Sequence, residues 1–214
     1  MKPICYIVGA MDPGEITIHR KRDALVIAAD AGLSHLEQQG ITPDWIVGDF
    51  DSLGHAPEGE RVIRHPVEKD DTDMLLAVRT GMEAGCRDFV IYGGIGGRMD
   101  HTYANFQTLI WIARHGGRGY LVGDGMISTV IDSDSISFPE SCRGTISIFC
   151  PDGEATGVTL KGLQYPLVAA TLTSGFPLGV SNSFQNKAAA VSVANGRLMI
   201  MWEENIADLL TRLQ

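Results

Sequence analysis

Apolar residues in the first half of the chain fall in short, nearly unbroken runs. These are ICYIVGA (4–10), ALVIAAD (24–30), DWIVGD (44–49), RVIRH (61–65), DFVIYGG (88–94) and GYLVGD (119–124). Runs of this kind suit parallel strands buried on both faces. Between them the spacing becomes helical. AGLSHLEQQG (31–40) fits a short helix closed by Gly40. TDMLLAVRTGMEAG (72–85) places Met74, Leu75, Val78 and Met82 on one face, with Thr72 or Asp71 as N-cap and Gly85 as the stop. HTYANFQTLIWIARHGG (101–117) places Phe106, Leu109, Ile110 and Ala113 on one face. Strands alternating with helices predict an α/β domain built on a parallel sheet.

Near residue 125 the pattern changes to short β-type runs separated by Gly, Pro, Asp and Asn: ISTVIDSDSISFPE, GTISIFCPDG, GVTLKGLQYPL, AAAVSVANG and RLMIMWEEN. AVSVANGRLMIM reads as a hairpin turning at Asn195-Gly196. Regular short strands predict a small all-β sandwich or jelly-roll-like domain, and IADLLTRL predicts a terminal helical turn or two. The expected division is therefore 1–124, an N-terminal parallel-sheet α/β domain, and 125–214, all-β.

The chain has 214 residues, 44% hydrophobic and 20% charged, an ordinary globular balance. A net charge of -9 argues against non-specific nucleic-acid binding, which needs a cationic face. No apolar run reaches the ~18 residues of a membrane span, and the N-terminal apolar run reads as a strand, not a signal peptide. A cytoplasmic protein with no membrane or nucleic-acid partner is expected. Cys5, Cys86, Cys142 and Cys150 form no CxxC pair and read as buried or incidental thiols.

In open α/β sheets, ligands bind outside the carboxyl ends of the strands. The acids collect there. Asp30 ends the second run, Asp49 and Asp51 follow the third in WIVGDFDSL, and EKDDTD (68–73) after the fourth brings Asp70, Asp71 and Asp73. GGIGGRMDH (93–101) follows the fifth with Arg98, Asp100 and His101. Carboxylates converging on one rim would repel by several kcal/mol unless a cation offsets them. Oxygen ligands without a His or Cys cluster favour Mg²⁺ over zinc. The glycine loop, the helix start behind it and Arg98 suit phosphate oxygens, although neither the Rossmann nor the Walker A fingerprint is present. Metal-binding carboxylates beside a phosphate-binding loop are what phosphoryl transfer requires.

ADAG (29–32), PDWIVGDFDSL (43–53), KDDTD (69–73), GGIGGRMDHTYAN (93–105), GLQYPL (162–167) and VSNSF (180–184) together resemble the thiamin pyrophosphokinase family. Each motif is short, but the ordered set spans nearly the whole chain. The resemblance implies an α/β domain followed by a β-sandwich, acting as a homodimer. It implies transfer of the terminal pyrophosphate of ATP, the co-substrate, to the thiamin hydroxyl, giving thiamin diphosphate and AMP with Mg²⁺. On this reading Asp49, Asp51 and Asp73 surround the Mg²⁺ and the triphosphate, and Asp30 and Asp70 belong to the same cluster as ligands or supporting groups. Arg98 is the phosphate-binding arginine, with Asp100 and Asn105 supporting nucleotide or metal. Tyr165, Ser181 and Asn182 line the thiamin pocket, where an aromatic ring suits a cationic thiazolium. Two departures occur: ADAG stands where the family pattern has ADGG, and Tyr165 stands where some relatives have Trp. Asp73 or Asp100 is the expected proton acceptor.

Blander readings remain beside these. Asp71 reads as an N-cap or solvated acid, His101 as a locally bonded helix-start residue, and Asp49 and Asp51 taken alone as a turn. A phosphatase of the haloacid dehalogenase type is the rival enzyme, since DFDS and VGDGM (122–126) echo its motifs. That family's strand position and second late acid are missing. A non-catalytic thiamin or nucleotide sensor is the third reading.

Overall fold

The computed structural model describes residues 3–19, 24–48, 62–64 and 71–213. The chain divides into two compact units, Met1–Asp124 and Gly125–Gln214.

In the first unit, the six apolar runs form β1 (Ile4–Val8), β2 (Leu25–Ala29), β3 (Trp45–Gly48), β4 (Val62–Arg64), β5 (Asp88–Tyr92) and β6 (Arg118–Gly123). All pair in parallel, in the order β6-β5-β1-β2-β3-β4. Central β1 lies between β2 and β5, with Ile7 opposite Ile27 on one side and Ile91 on the other. Cys5 to Val8, Val26 to Ala29 and Phe89 to Tyr92 are all buried, which accounts for the continuous apolar runs. From β1 the chain builds outward to β4, then returns to place β5 on the far side of β1. Strand order thus reverses between β1 and β5, the switch point where open α/β sheets take ligands.

Among the described residues, the helices α1 (Gly32–Gln38), α2 (Asp73–Glu83) and α3 (Met99–Arg114) connect the strands. Thr72 caps α2, its hydroxyl accepting from the Leu75 N–H at 3.2 Å. The buried face of α2 is Met74, Leu76, Ala77, Val78 and Gly81, while Leu75 and Met82 are half-buried. The expected face is rotated because Gly81 packs tightly: a Cβ there would lie 2.8 Å from Phe89 and 2.9 Å from Cys5 Sγ. On α3 the buried residues are Thr102, Asn105, Thr108, Leu109 and Ile112, whereas Phe106, Ile110 and Ala113 are half-buried. Small and polar residues face inward there because their groups are satisfied locally, Thr108 Oγ1 donating to the Ala104 carbonyl at 3.1 Å.

The second unit holds β7 (Met126–Asp132), β8 (Ser135–Phe138), β9 (Thr145–Phe149), β10 (Glu154–Lys161), β11 (Leu167–Thr173), β12 (Gly179–Ser183), β13 (Ala189–Ser192), β14 (Arg197–Glu203) and the terminal helix α4 (Ile206–Arg212). Its strands run antiparallel in the orders β12-β9-β14-β7 and β11-β10-β13-β8. Phe138 of β8 meets Phe184 and Trp202 of β14 edge-on, each with centroids 5.3 Å apart, so aromatic packing joins the two layers as a sandwich.

Asn195-Gly196 does not close a hairpin. β13 lies between β10 and β8, while β14 lies between β9 and β7, so this turn carries the chain from one layer to the other. The turn is bound to β10 instead: Thr156 N–H donates to the Asn195 carbonyl at 2.9 Å, and the Ala194 and Asn195 N–H groups donate to the Thr156 carbonyl. β11 escapes the sequence pattern because it is an edge strand with six of seven residues exposed or half-exposed around Leu172.

Candidate active site

A cleft of about 170 Å³ opens at the carboxyl ends of β1, β2 and β5. Gly9 and Ala10 follow β1, Ala29 ends β2 and Asp30 follows it, and Gly93 follows β5. The first turn of α2 adds Thr72, Asp73 and Met74, and the start of α3 adds His101, Ala104 and Asn105. The cleft therefore sits at the switch point that the strand order creates.

Its floor is close-packed backbone. Gly9 N–H donates to the Tyr92 carbonyl at 2.8 Å and Met11 N–H to the Gly93 carbonyl at 3.1 Å. Gly93 has φ +62°, and a Cβ there would meet the Gly9 and Met11 carbonyl oxygens at 2.6 Å. Only glycine satisfies both limits. Asp30 also adopts a left-handed conformation, φ +50°, with its N–H bonded to the Val47 carbonyl at 2.8 Å. Aspartate is among the few non-glycine residues that visit this region readily, and it turns the chain from β2 into α1.

The predicted acids separate into three groups. Asp30 and Asp73 line the cleft together, and Asp73 stands in the first turn of α2, where the helix dipole favours its negative charge. Asp49, Asp51 and Asp70 lie outside the described residues. Asp71 pairs with Arg79 on the exposed side, and the Arg79 guanidinium lies 5.6 Å from the centre of the Trp111 ring. No group of three or more His, Cys, Asp or Glu side chains able to hold a metal occurs among the described residues. Asp30 and Asp73 are hard oxygen donors, and Mg²⁺ is commonly held by one or two carboxylates together with substrate phosphates. Their chemistry fits that ion.

Arg98 and Asp100, both exposed, form a forked pair at the start of α3. Nη2 donates to Oδ2 at 2.6 Å and Nε to Oδ1 at 3.2 Å. Hydrogen bonding from Arg98 is the main cause that holds the Asp100 carboxyl down at about 2. His101 is exposed on the cleft, its backbone N–H donating to Asp100 Oδ1 at 3.0 Å. Asn105 is buried, and its Nδ2 donates to the Gly94 carbonyl at 2.8 Å. The sequence offers Thr72 as a cap for α2 but not as part of the cleft, which it also lines, and it gives no role to Thr102, whose hydroxyl bonds to the glycine loop. The available signal for Thr102 is a hydroxyl residue in the first turn of a helix entered through glycines.

In the second unit, Asn182 is buried and Tyr165 and Ser181 are exposed. Ser181 has φ +58° and lies where the β12–β9 register shifts, its N–H donating to Ser147 Oγ at 3.0 Å. Gln164 ties the two motifs together: its N–H donates to the Ser183 carbonyl at 3.0 Å, and its Oε1 accepts from Ser183 Oγ at 2.7 Å. The four cysteines are free and buried. Among the described residues no helix is long and apolar enough to cross a membrane.

Two family models match the chain in order. The model of the thiamin pyrophosphokinase catalytic domain matches residues 19–121, and that of the thiamin pyrophosphokinase vitamin B1 binding domain matches residues 134–198. The chain belongs to the thiamin pyrophosphokinase family. A thiamine pyrophosphokinase of Bacillus subtilis (strain 168) is 27% identical over 195 residues, covering 87% of this chain and 91% of that protein. A crystal structure of thiamine pyrophosphokinase from Bacillus subtilis is similar with a TM-score of 0.82 at 25% identity, covering 94% of this chain and 99% of the other. Thiamin pyrophosphokinase from Candida albicans shares the fold, with a TM-score of 0.72 at 16% identity over 94% of this chain and 90% of that one. Family membership does not favour the dehalogenase-type phosphatase or the sensor.

Proposed function

We propose that the protein is a thiamin diphosphokinase, an ATP-dependent diphosphotransferase that converts thiamin and ATP to thiamin diphosphate and AMP. The observation that carries this reading is the matched pair of family domains, one of which contains a switch-point cleft lined by Asp30 and Asp73. Mg²⁺ would be held by Asp73 with Asp49 and Asp51, with Asp30 and Asp70 as further ligands or supporting groups. When bound, it would supply positive charge to the triphosphate oxygens.

The thiamin hydroxyl oxygen attacks the β-phosphorus of ATP in line, the bond from that phosphorus to the oxygen bridging it to the α-phosphorus breaks, and AMP leaves. Arg98 offsets charge that grows on the transferred and leaving oxygens. Asp100 is a weak base while Arg98 holds its carboxyl at about 2. Asp73, which lines the cleft, is the better candidate to accept the hydroxyl proton. Asn105 supports the nucleotide by holding the loop. Tyr165, Ser181 and Asn182 form the thiamin side, with Tyr165 offering its ring to the thiazolium.

The protein acts as a cytoplasmic homodimer in this reading. Val168, Phe176, Leu178 and Val180 are exposed on and between β11 and β12 of the second unit, which supports contact with a second copy.

Incubation with ATP, Mg²⁺ and thiamin, followed by chromatography, tests the assignment. AMP and thiamin diphosphate in equal amounts are expected. ADP with thiamin monophosphate would overturn the pyrophosphate-transfer step, and free phosphate alone would revive the phosphatase. Wild-type turnover by Asp51→Asn at saturating Mg²⁺ would remove the metal assignment.

A further inference from the structure

Thr102 and Asn105 stand one turn apart on the buried face of α3, 7% and 6% exposed. Each reaches back to the glycine loop through which the chain enters that helix. Thr102 Oγ1 accepts from the Gly96 N–H at 3.2 Å and donates to the Gly96 or Arg98 carbonyl, at 3.2 and 3.3 Å. Asn105 Nδ2 donates to the Gly94 carbonyl at 2.8 Å. A helical threonine often bonds to the carbonyl one turn back, but here the same oxygen also takes a loop N–H. Thr102 is not the helix cap, because Arg98 occupies that position and makes no side-chain cap bond.

Gly96 has φ +98°, and a Cβ there would meet nothing within 4 Å. Its shape is therefore not imposed by crowding, and a glycine segment left to itself samples many conformations. The anchors at Gly94 and Gly96 select one of them. We propose that Thr102 and Asn105 are positioning residues that set the 94–98 loop before ATP arrives, so that Arg98 and the start of α3 already face the triphosphate. This rests on the reading that the cleft takes ATP.

Ordering a loop during binding weakens affinity without altering the reaction of the bound substrate. Loss of the anchor should therefore raise KM for ATP while leaving kcat and the KM for thiamin in place. Thr102→Val removes the hydroxyl at nearly constant volume. Its KM for ATP and its Kd for ATP by calorimetry should both rise about tenfold, the size expected for one or two neutral hydrogen bonds. Its kcat and KM for thiamin should stay within about twofold. Thr102→Ser keeps the hydroxyl and should return the ATP constants to within about threefold of wild type. Asn105→Ala should shift them in the same direction as Thr102→Val.

A Thr102→Val protein that melts like wild type and keeps the wild-type KM and Kd for ATP overturns the clamp. So does a Ser variant as impaired as the Val variant, or an equal rise in the thiamin KM. Wild-type protein that binds ATP but forms no AMP overturns the assigned reaction instead, and the calorimetric constants still decide the clamp.

Discussion

Asn182 closes both sides of its amide on the backbone of Tyr165. Its Oδ1 accepts from the Tyr165 N–H at 3.0 Å, and its Nδ2 donates to the Tyr165 carbonyl at 2.8 Å. The buried side chain thus acts as a surrogate strand partner that fixes an exposed aromatic residue. Asn182→Ala leaves the part-buried Tyr165 N–H and carbonyl without these two bonds, which costs about 2 kcal/mol. A melting temperature lower by about 5 °C is expected, together with a higher KM for thiamin because Tyr165 is no longer held. Asn182→Asp keeps the acceptor but sets a carboxylate oxygen against the Tyr165 carbonyl, so it should not restore stability.

Gly93 and Gly96 both have positive φ, yet they should respond differently to alanine. At Gly93 a methyl group would meet two carbonyl oxygens at 2.6 Å, and neither backbone can yield without breaking the β1–β5 floor. Gly93→Ala should abolish soluble, active protein. At Gly96 the space is open, so the change costs about 1–2 kcal/mol of backbone strain. Gly96→Ala should fold and lose affinity for ATP, as read by expression yield, circular dichroism and KM.

The Arg98–Asp100 pair has a defined pH window. The Asp100 carboxyl is depressed from 3.8 to about 2, so the pair is intact above 3.8 and is lost only as pH falls towards about 2. Asp100 therefore contributes no acid limb to a rate profile measured between about pH 6 and pH 9, and Asp100→Asn should leave the shape of that profile unchanged. Arg98→Ala should lower kcat/KM for ATP by about a hundredfold. Arg98→Lys should recover only part of this, because an ammonium group cannot reproduce the forked geometry.

Glu204 ties α4 to β14 within the second unit. Its side chain is 7% exposed and accepts from Arg212 Nη2 at 2.6 Å and Trp202 Nε1 at 2.9 Å, with Cys142 Sγ 3.5 Å away. Burial alone would raise its carboxyl, but the hydrogen bonds, led by Arg212, outweigh it and hold the group below 4.5. A depressed folded value means that the stabilisation is complete above about 4.5 and is lost as pH falls through that lowered value. Glu204→Gln should lower the neutral-pH melting temperature by about 5 °C. It should also flatten the acid side of the curve in melts between about pH 3 and pH 7.

The cleft is legible from sequence to the extent that burial writes itself into composition. ALVIAAD ends in Asp30 because a strand buried on both faces must be apolar until it emerges, and DFVIYGG ends at the cleft for the same reason. The inward face of α3 is not legible, since Thr102 and Asn105 look like surface residues until their loop partners are known. The Asn182–Tyr165 closure joins positions 17 residues apart without any periodic signal. Asn195-Gly196 has the chemistry of a hairpin, but its backbone bonds to Thr156 and the two flanking strands lie in different layers.

The pairing of β1 with β5 has a consequence for the order of events during synthesis. Ile4 pairs opposite Asp88, so this central strand is made before both of its neighbours and acquires the second of them only after Tyr92 has emerged. Until then, one edge of an almost wholly apolar strand lies open to other chains. Long-range closure of this kind is slow and exposes nascent protein to aggregation. A ribosome-bound fragment ending before β5 is the species most in need of a chaperone.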